Sequence, residues 1–202
     1  MFRKSAMILF VCGASALSVA VFAQEATQTE AGMKSSGMSK SSSMSKDKMF
    51  VKTATAGGMA MVKLGQLAAD KASSPDVKAF GQKMVDDHTK FNNEMKPIAD
   101  RMGVMAPTIL DVKDQALYDK LNGMSGTAFD KAYLKAMVMD HHKDGRAFTA
   151  EKNSTKDPEL KTTVTQGLDV IQQHTTMVEQ LARSSGAMTG MKHSGSGSCK
   201  PM

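Results

Sequence analysis

Four rows of apolar residues recur at alternating spacings of three and four, which places each row along one face of an α-helix. The first is Phe50, Ala54, Gly57, Met61, Leu64 and Ala68. The second is Val77, Phe80, Met84, His88, Phe91, Met95, Ile98 and Met102. The third is Leu134, Val138, His141, Gly145 and Phe148, flanked by Tyr133 and Met137. The fourth, with the cleanest spacing, is Leu160, Val164, Gly167, Ile171, His174, Val178 and Leu181. Helices of this length, about 27 residues or roughly 40 Å each, can bury such seams only against one another.

Local signals place the ends. Ser74-Pro75-Asp76 and Asp157-Pro158-Glu159 each supply a cap, a proline for the first turn and an acid facing the positive helix end. Thr127-Ala128-Phe129-Asp130 reads as a capping box. Pro97 is expected to kink or fray the second helix, and Gly103 to stop it. Gly57-Gly58 weakens the first helix, and a close approach by another helix is the expected compensation. Residues 104–125 then form a long link, broken by Pro107, with a short helix expected from Asp111 to Leu121. A link this long suggests a crossover and not a hairpin. The motif Met-Val-x-Asp-His-x-Lys occurs at 84–90 and again at 137–143, and the two Pro-containing starts echo each other. A duplicated helical hairpin follows, and the expected fold is all-α: a ferritin-like four-helix bundle with one long crossover between helices 2 and 3. An absence of Trp and an abundance of Met (19 residues) agree with that class.

The bundle is expected over residues 47–184. Residues 1–23 read as a signal peptide: Arg3 and Lys4, an apolar run from Ala6 to Ala20, then Val21-Phe22-Ala23 as a small-residue cleavage site. Residues 24–46 and 185–202 have the Ser, Gly, Lys and Met composition of disordered ends. The chain is therefore expected to be exported, with the periplasm as first choice and outer-membrane association or secretion as variants. No span of the bilayer is expected after signal cleavage. Loss of Arg3 and Lys4 takes the net charge from +6 to +4, and the ends carry most of the remainder. A nucleic-acid partner is therefore not indicated. Only Cys199 would survive cleavage, so no intrachain disulfide is expected.

Each of three apolar rows is interrupted by one histidine. His88 and His141 lie at similar depth if helices 2 and 3 run parallel, and His174 joins them if helix 4 runs antiparallel. Two readings of such a trio stand: a polar, hydrogen-bonded core, or a metal site. Imidazole suits Zn, Cu or Fe, and three histidines with one open position can support catalysis. A di-iron carboxylate centre needs Glu three residues before inward histidines. Val85, Val138 and Ile171 occupy those places. Asp87 and Asp140 each precede an inward histidine by one residue, about 100° round the helix. Each is read either as an outer-shell acceptor or as a solvated ion-pair partner of Lys90 or Lys143 at i+3. The Met-rich ends, and His193 with Cys199 and Met202, raise the further idea of a soft-metal tail.

Several short motifs together resemble one family. They are Gly57-Gly58-Met59-Ala60, Leu64-Gly65-x-Leu67-Ala68, Ser74-Pro75-x-Val77-Lys78, Met84-Val85-x-Asp87-His88, Phe129-Asp130-x-x-Tyr133 and Asp140-His141, with a late His174. The combination, over residues 47–184, is similar to the bacterial domain of unknown function 4142, whose members are often labelled exported or outer-membrane proteins. The resemblance implies a ferritin-like bundle, no settled reaction, and histidines at 88, 141 and 174. It would also imply a Glu on the first helix near Met61 and Lys63, which this chain lacks. The functional expectation is an exported, non-enzymatic envelope or stress-related protein with a histidine metal site in its core. A metal-dependent oxidase or peroxidase and a copper carrier using the Met-rich tails are the alternatives.

Overall fold

The structure is a computed structural model describing the backbone of residues 36–188 and the side chains of residues 44–188. Expectations about the signal peptide, the start of the linker, His193 and Cys199 lie outside the described residues. Five helices follow in order: α1 (Ser36–Lys71), α2 (Pro75–Arg101), α3 (Val112–Asn122), α4 (Gly126–Ser154) and α5 (Pro158–Ser184). Four are the long rods expected from periodicity. The short α3 rides on the crossover. None of the described helices is long and apolar enough to cross a membrane.

Polar contacts at the two ends fix the direction of each rod. Asp130, near the start of α4, accepts hydrogen bonds from the backbone N–H of Ser73 and of Ser74 and from the Ser73 hydroxyl, where α2 begins. At the other end Arg101, closing α2, pairs with Asp157 and Glu159, which open α5. There too Asp47 of α1 accepts from Thr155, just past α4. Hence α2 and α4 run parallel, α1 and α5 run opposite to them, and the crossover spans the length of the bundle. Helix α1 packs mainly on α2 and α4 mainly on α5, and α2 against α5 joins the two hairpins.

The expected rows are the buried ones: the second is buried from Val77 to Ile98 and the fourth from Leu160 to Val178. Several local expectations change. Helix α1 begins at Ser36, inside the stretch read as a tether. From residue 44 on, its first buried side chain is Asp47, and Met44 is exposed. Helix α2 runs through Pro97 to Arg101, because buried Ile98 and Ala99 hold its last turn in the core. Helix α4 begins after Ser125 and not Thr127, without a side-chain cap bond from Ser125, and Asp130 reaches across to the α1–α2 turn in place of closing a capping box. The cap signal at Asp157 works as expected, accepting from the Leu160 amide, and Asp111 likewise caps α3 by accepting from the Asp114 amide.

The closest helix approach is also elsewhere than expected. A Cβ on Gly65 would lie 2.8 Å from the Gly81 carbonyl, and one on Gly81 would lie 2.7 Å from the Ala69 nitrogen. Backbone meets backbone there, which only glycine allows. Gly58 makes room for the Asn92 side chain, whereas a Cβ on Gly57 would meet nothing within 4 Å.

Candidate metal centre

The core falls into two apolar clusters, one towards the α1–α2 turn and one towards the α4–α5 turn. The boundary between them is formed by His88, His141 and His174, which are 8 %, 2 % and 0 % exposed. Their ring centroids are 6.0 Å apart for His88 and His141, 5.4 Å for His88 and His174, and 5.5 Å for His141 and His174. One ring nitrogen from each can be chosen so that all three lie within 4.8 Å of one another. The depth argument from the sequence therefore holds: three rods deliver their imidazoles to one level.

Two of the three rings are pinned from behind. His141 Nδ1 lies 2.9 Å from the carbonyl of Met137, one turn earlier, and must donate to it because a carbonyl only accepts. His174 Nε2 lies 2.7 Å from Asp87 Oδ2 and donates to that carboxylate. These bonds leave His141 Nε2 and His174 Nδ1 as lone-pair nitrogens, and both are buried without a partner. His88 Nε2 is likewise buried and unpartnered. An imidazole whose far nitrogen donates to a carbonyl or carboxylate has its tautomer and orientation set for ligating a metal.

Electrostatics favour the neutral, ligand-competent rings. Burial pushes the His88 imidazolium down to about 3, and charge on His141 or His174 would push the same way. Burial lowers His141 to about 4 against the opposing pull of the Met137 carbonyl. Burial lowers His174 as well, with Asp87 opposing. Burial raises the Asp87 carboxyl, but hydrogen bonds from Lys83 and His174 outweigh it and hold it below its ordinary value.

The two aspartates thus part company. Asp87 serves a histidine on the neighbouring α5 rather than His88, and its ion pair is with Lys83 at 2.9 Å, not with Lys90. Lys90 instead faces Glu94. Asp140 lies in the electrostatic reach of Lys113 and Lys143, away from the three rings, and burial raises its carboxyl. Neighbouring Asp144 is raised to about 6 by burial. On α1, Met61 is buried and Lys63 exposed, so that helix brings no acid to the site. Among the described residues the three histidines are the one group of at least three His, Cys, Asp or Glu side chains placed to share an ion.

A family model matches residues 32–181. The chain belongs to the family described as domain of unknown function (DUF4142). Comparison with curated proteins and with solved structures gives no match. The Met137 carbonyl stands four residues before His141 in this DUF4142 chain, so that contact was readable from the sequence as an i−4 position. The Asp87–His174 contact crosses helices, and no local pattern announces it.

Proposed function

We propose that this DUF4142 protein is an exported helical-bundle protein that holds one transition-metal ion between His88, His141 and His174, as a non-enzymatic envelope or stress-related metal binder. One observation carries the reading: each ring buries a nitrogen without a partner, and the trio can converge within 4.8 Å. Leaving a polar atom buried and unpaired costs about 1–3 kcal/mol, and three such atoms on rings that meet at one level call for a common partner. A cation bound by three neutral nitrogens would satisfy all of them. Zn, Cu and Fe suit imidazole, and a three-nitrogen set leaves a position open. Export rests on the sequence reading of residues 1–23.

Untagged protein expressed from the full sequence should carry about one equivalent of metal by elemental analysis. Its unfolding midpoint should rise on adding the metal in excess, since ligand at about 100 times Kd adds about 2.7 kcal/mol. Asp87→Asn should weaken metal binding by about 10–100-fold, the usual effect of altering the group behind a ligating histidine. Substoichiometric metal, with no thermal shift for Zn, Cu or Fe, would remove the reading.

A further inference from the structure

Beside the histidines, at the mid-level of the bundle, lies a cavity that neither the fold nor the metal reading requires. It encloses about 70 Å³, and about 590 Å³ of empty space when its open mouth is counted. Its rim is formed by Thr53 and Gly57 on α1 and by Asp144 and Ala147 on α4, so it opens along the seam between those two helices. Its floor includes Met61, Phe91, Phe148 and His88.

Three features define what would fit. The first is aromatic. Of the five phenylalanines between residues 44 and 188, three line this space, Phe50, Phe91 and Phe148. Phe148 meets Phe50 edge-on at 5.0 Å and Phe91 tilted at 5.5 Å. Gly167 keeps the wall in place, since a Cβ there would come within 2.6 Å of Phe91 and 2.8 Å of Phe148. Rings so arranged offer faces and edges to another ring. The second is charge. No Lys or Arg lines the space, and its ionisable groups are His88 and Asp144. An anionic guest would meet a carboxyl and no cation. The third is Gly57. A side chain there would point into the void and strengthen the helix, yet glycine leaves the room open.

We propose that this cavity binds a one-ring, uncharged aromatic molecule bearing a hydroxyl, of the phenol class, with its ring against Phe50, Phe91 and Phe148 and its hydroxyl towards His88 on the floor. The inference goes beyond the metal reading and shares only His88 with it. The cavity exists in the protein without a metal.

The test titrates phenol, then benzoate, into the untagged protein by calorimetry, once after chelator treatment and once after loading with Zn. Phenol should bind both forms. Benzoate, the same ring with a negative charge, should bind the chelator-treated protein at least about tenfold more weakly. Gly57→Leu should fill the space and weaken phenol binding about tenfold or more, with an unfolding midpoint no lower than wild type. Ala147→Leu, from the rim on α4, should repeat the loss independently. Phenol binding that is absent in the wild type, or undiminished in both filled variants, would overturn the proposal, as would equal affinity of the chelator-treated protein for benzoate. Phenol binding without metal uptake sinks the metal reading alone; metal uptake without phenol binding sinks the cavity alone.

Discussion

The two halves of the bundle, divided by the histidine level, are built to different standards. The half towards the α1–α2 turn has fully buried Phe80, Phe129, Tyr133, Leu134 and Leu121, backed by the glycine-on-glycine crossing of α1 and α2. The half towards the α4–α5 turn has its aromatic rings at a cavity wall, a partly exposed Phe50, and an α1 anchored by the small buried side chains of Val51 and Ala54 and by buried Asp47. The same amphipathic pattern runs through both. Pattern therefore secures the helices, whereas the fit between them separates a half that holds the fold from one with room for a guest.

The largest effect that would break this comparison is at a pair of phenylalanines. Phe80→Ala should cost about 3–5 kcal/mol, because the close packing around it cannot relax fully into the void. Phe50→Ala should cost clearly less, its ring being only partly buried. Chemical denaturation reads both, and equal losses would show that the halves do not differ.

Glycines sharpen the contrast at a smaller scale. Gly81→Ala drives a Cβ into backbone atoms of α1 and should destabilise by about 1–3 kcal/mol net of any propensity gain. Gly57→Ala meets open space and should stabilise by up to about 1 kcal/mol, the helix-propensity gain. Thermal unfolding of the two single variants should move in opposite directions. A loss at Gly57 would mean that the cavity is not open as described.

The smallest effect is a pH dependence contributed by one carboxyl of the looser half. Glu151 is buried near Asp47; burial, reinforced by the Asp47 charge, raises its carboxyl from 4.5 to about 7. The folded state therefore keeps a proton that the unfolded chain has released. This contribution to stability is complete below about pH 4.5 and is lost as pH rises through about 7. The unfolding midpoint of the wild type should fall by a few degrees relative to Glu151→Gln between pH 4.5 and 8. Parallel midpoints across that range would place the titration elsewhere.

Much of this was legible without coordinates. The rows from Val77 to Ile98 and from Leu160 to Val178 named the buried faces residue by residue. Counting from Pro75 and back from Ser184 brought His88 and His174 to one level. The reach of Asp130 to Ser73 and Ser74 was not legible, nor was the crossing at Gly65 and Gly81 or the partner of Asp87. Gly57-Gly58 was read as one close approach, and the two residues proved to do different things.

By itself the sequence determined the number of long rods, their faces and the depth of each imidazole along its own rod. Those are properties of period and length along one chain, and a helix of fixed rise carries them into three dimensions unchanged. Only the tertiary structure decided which ring nitrogens stay unpaired, which aspartate backs which histidine, and where a void remains. Such outcomes depend on the rotation of one helix against another, and that is set by the packing of all the side chains between them at once.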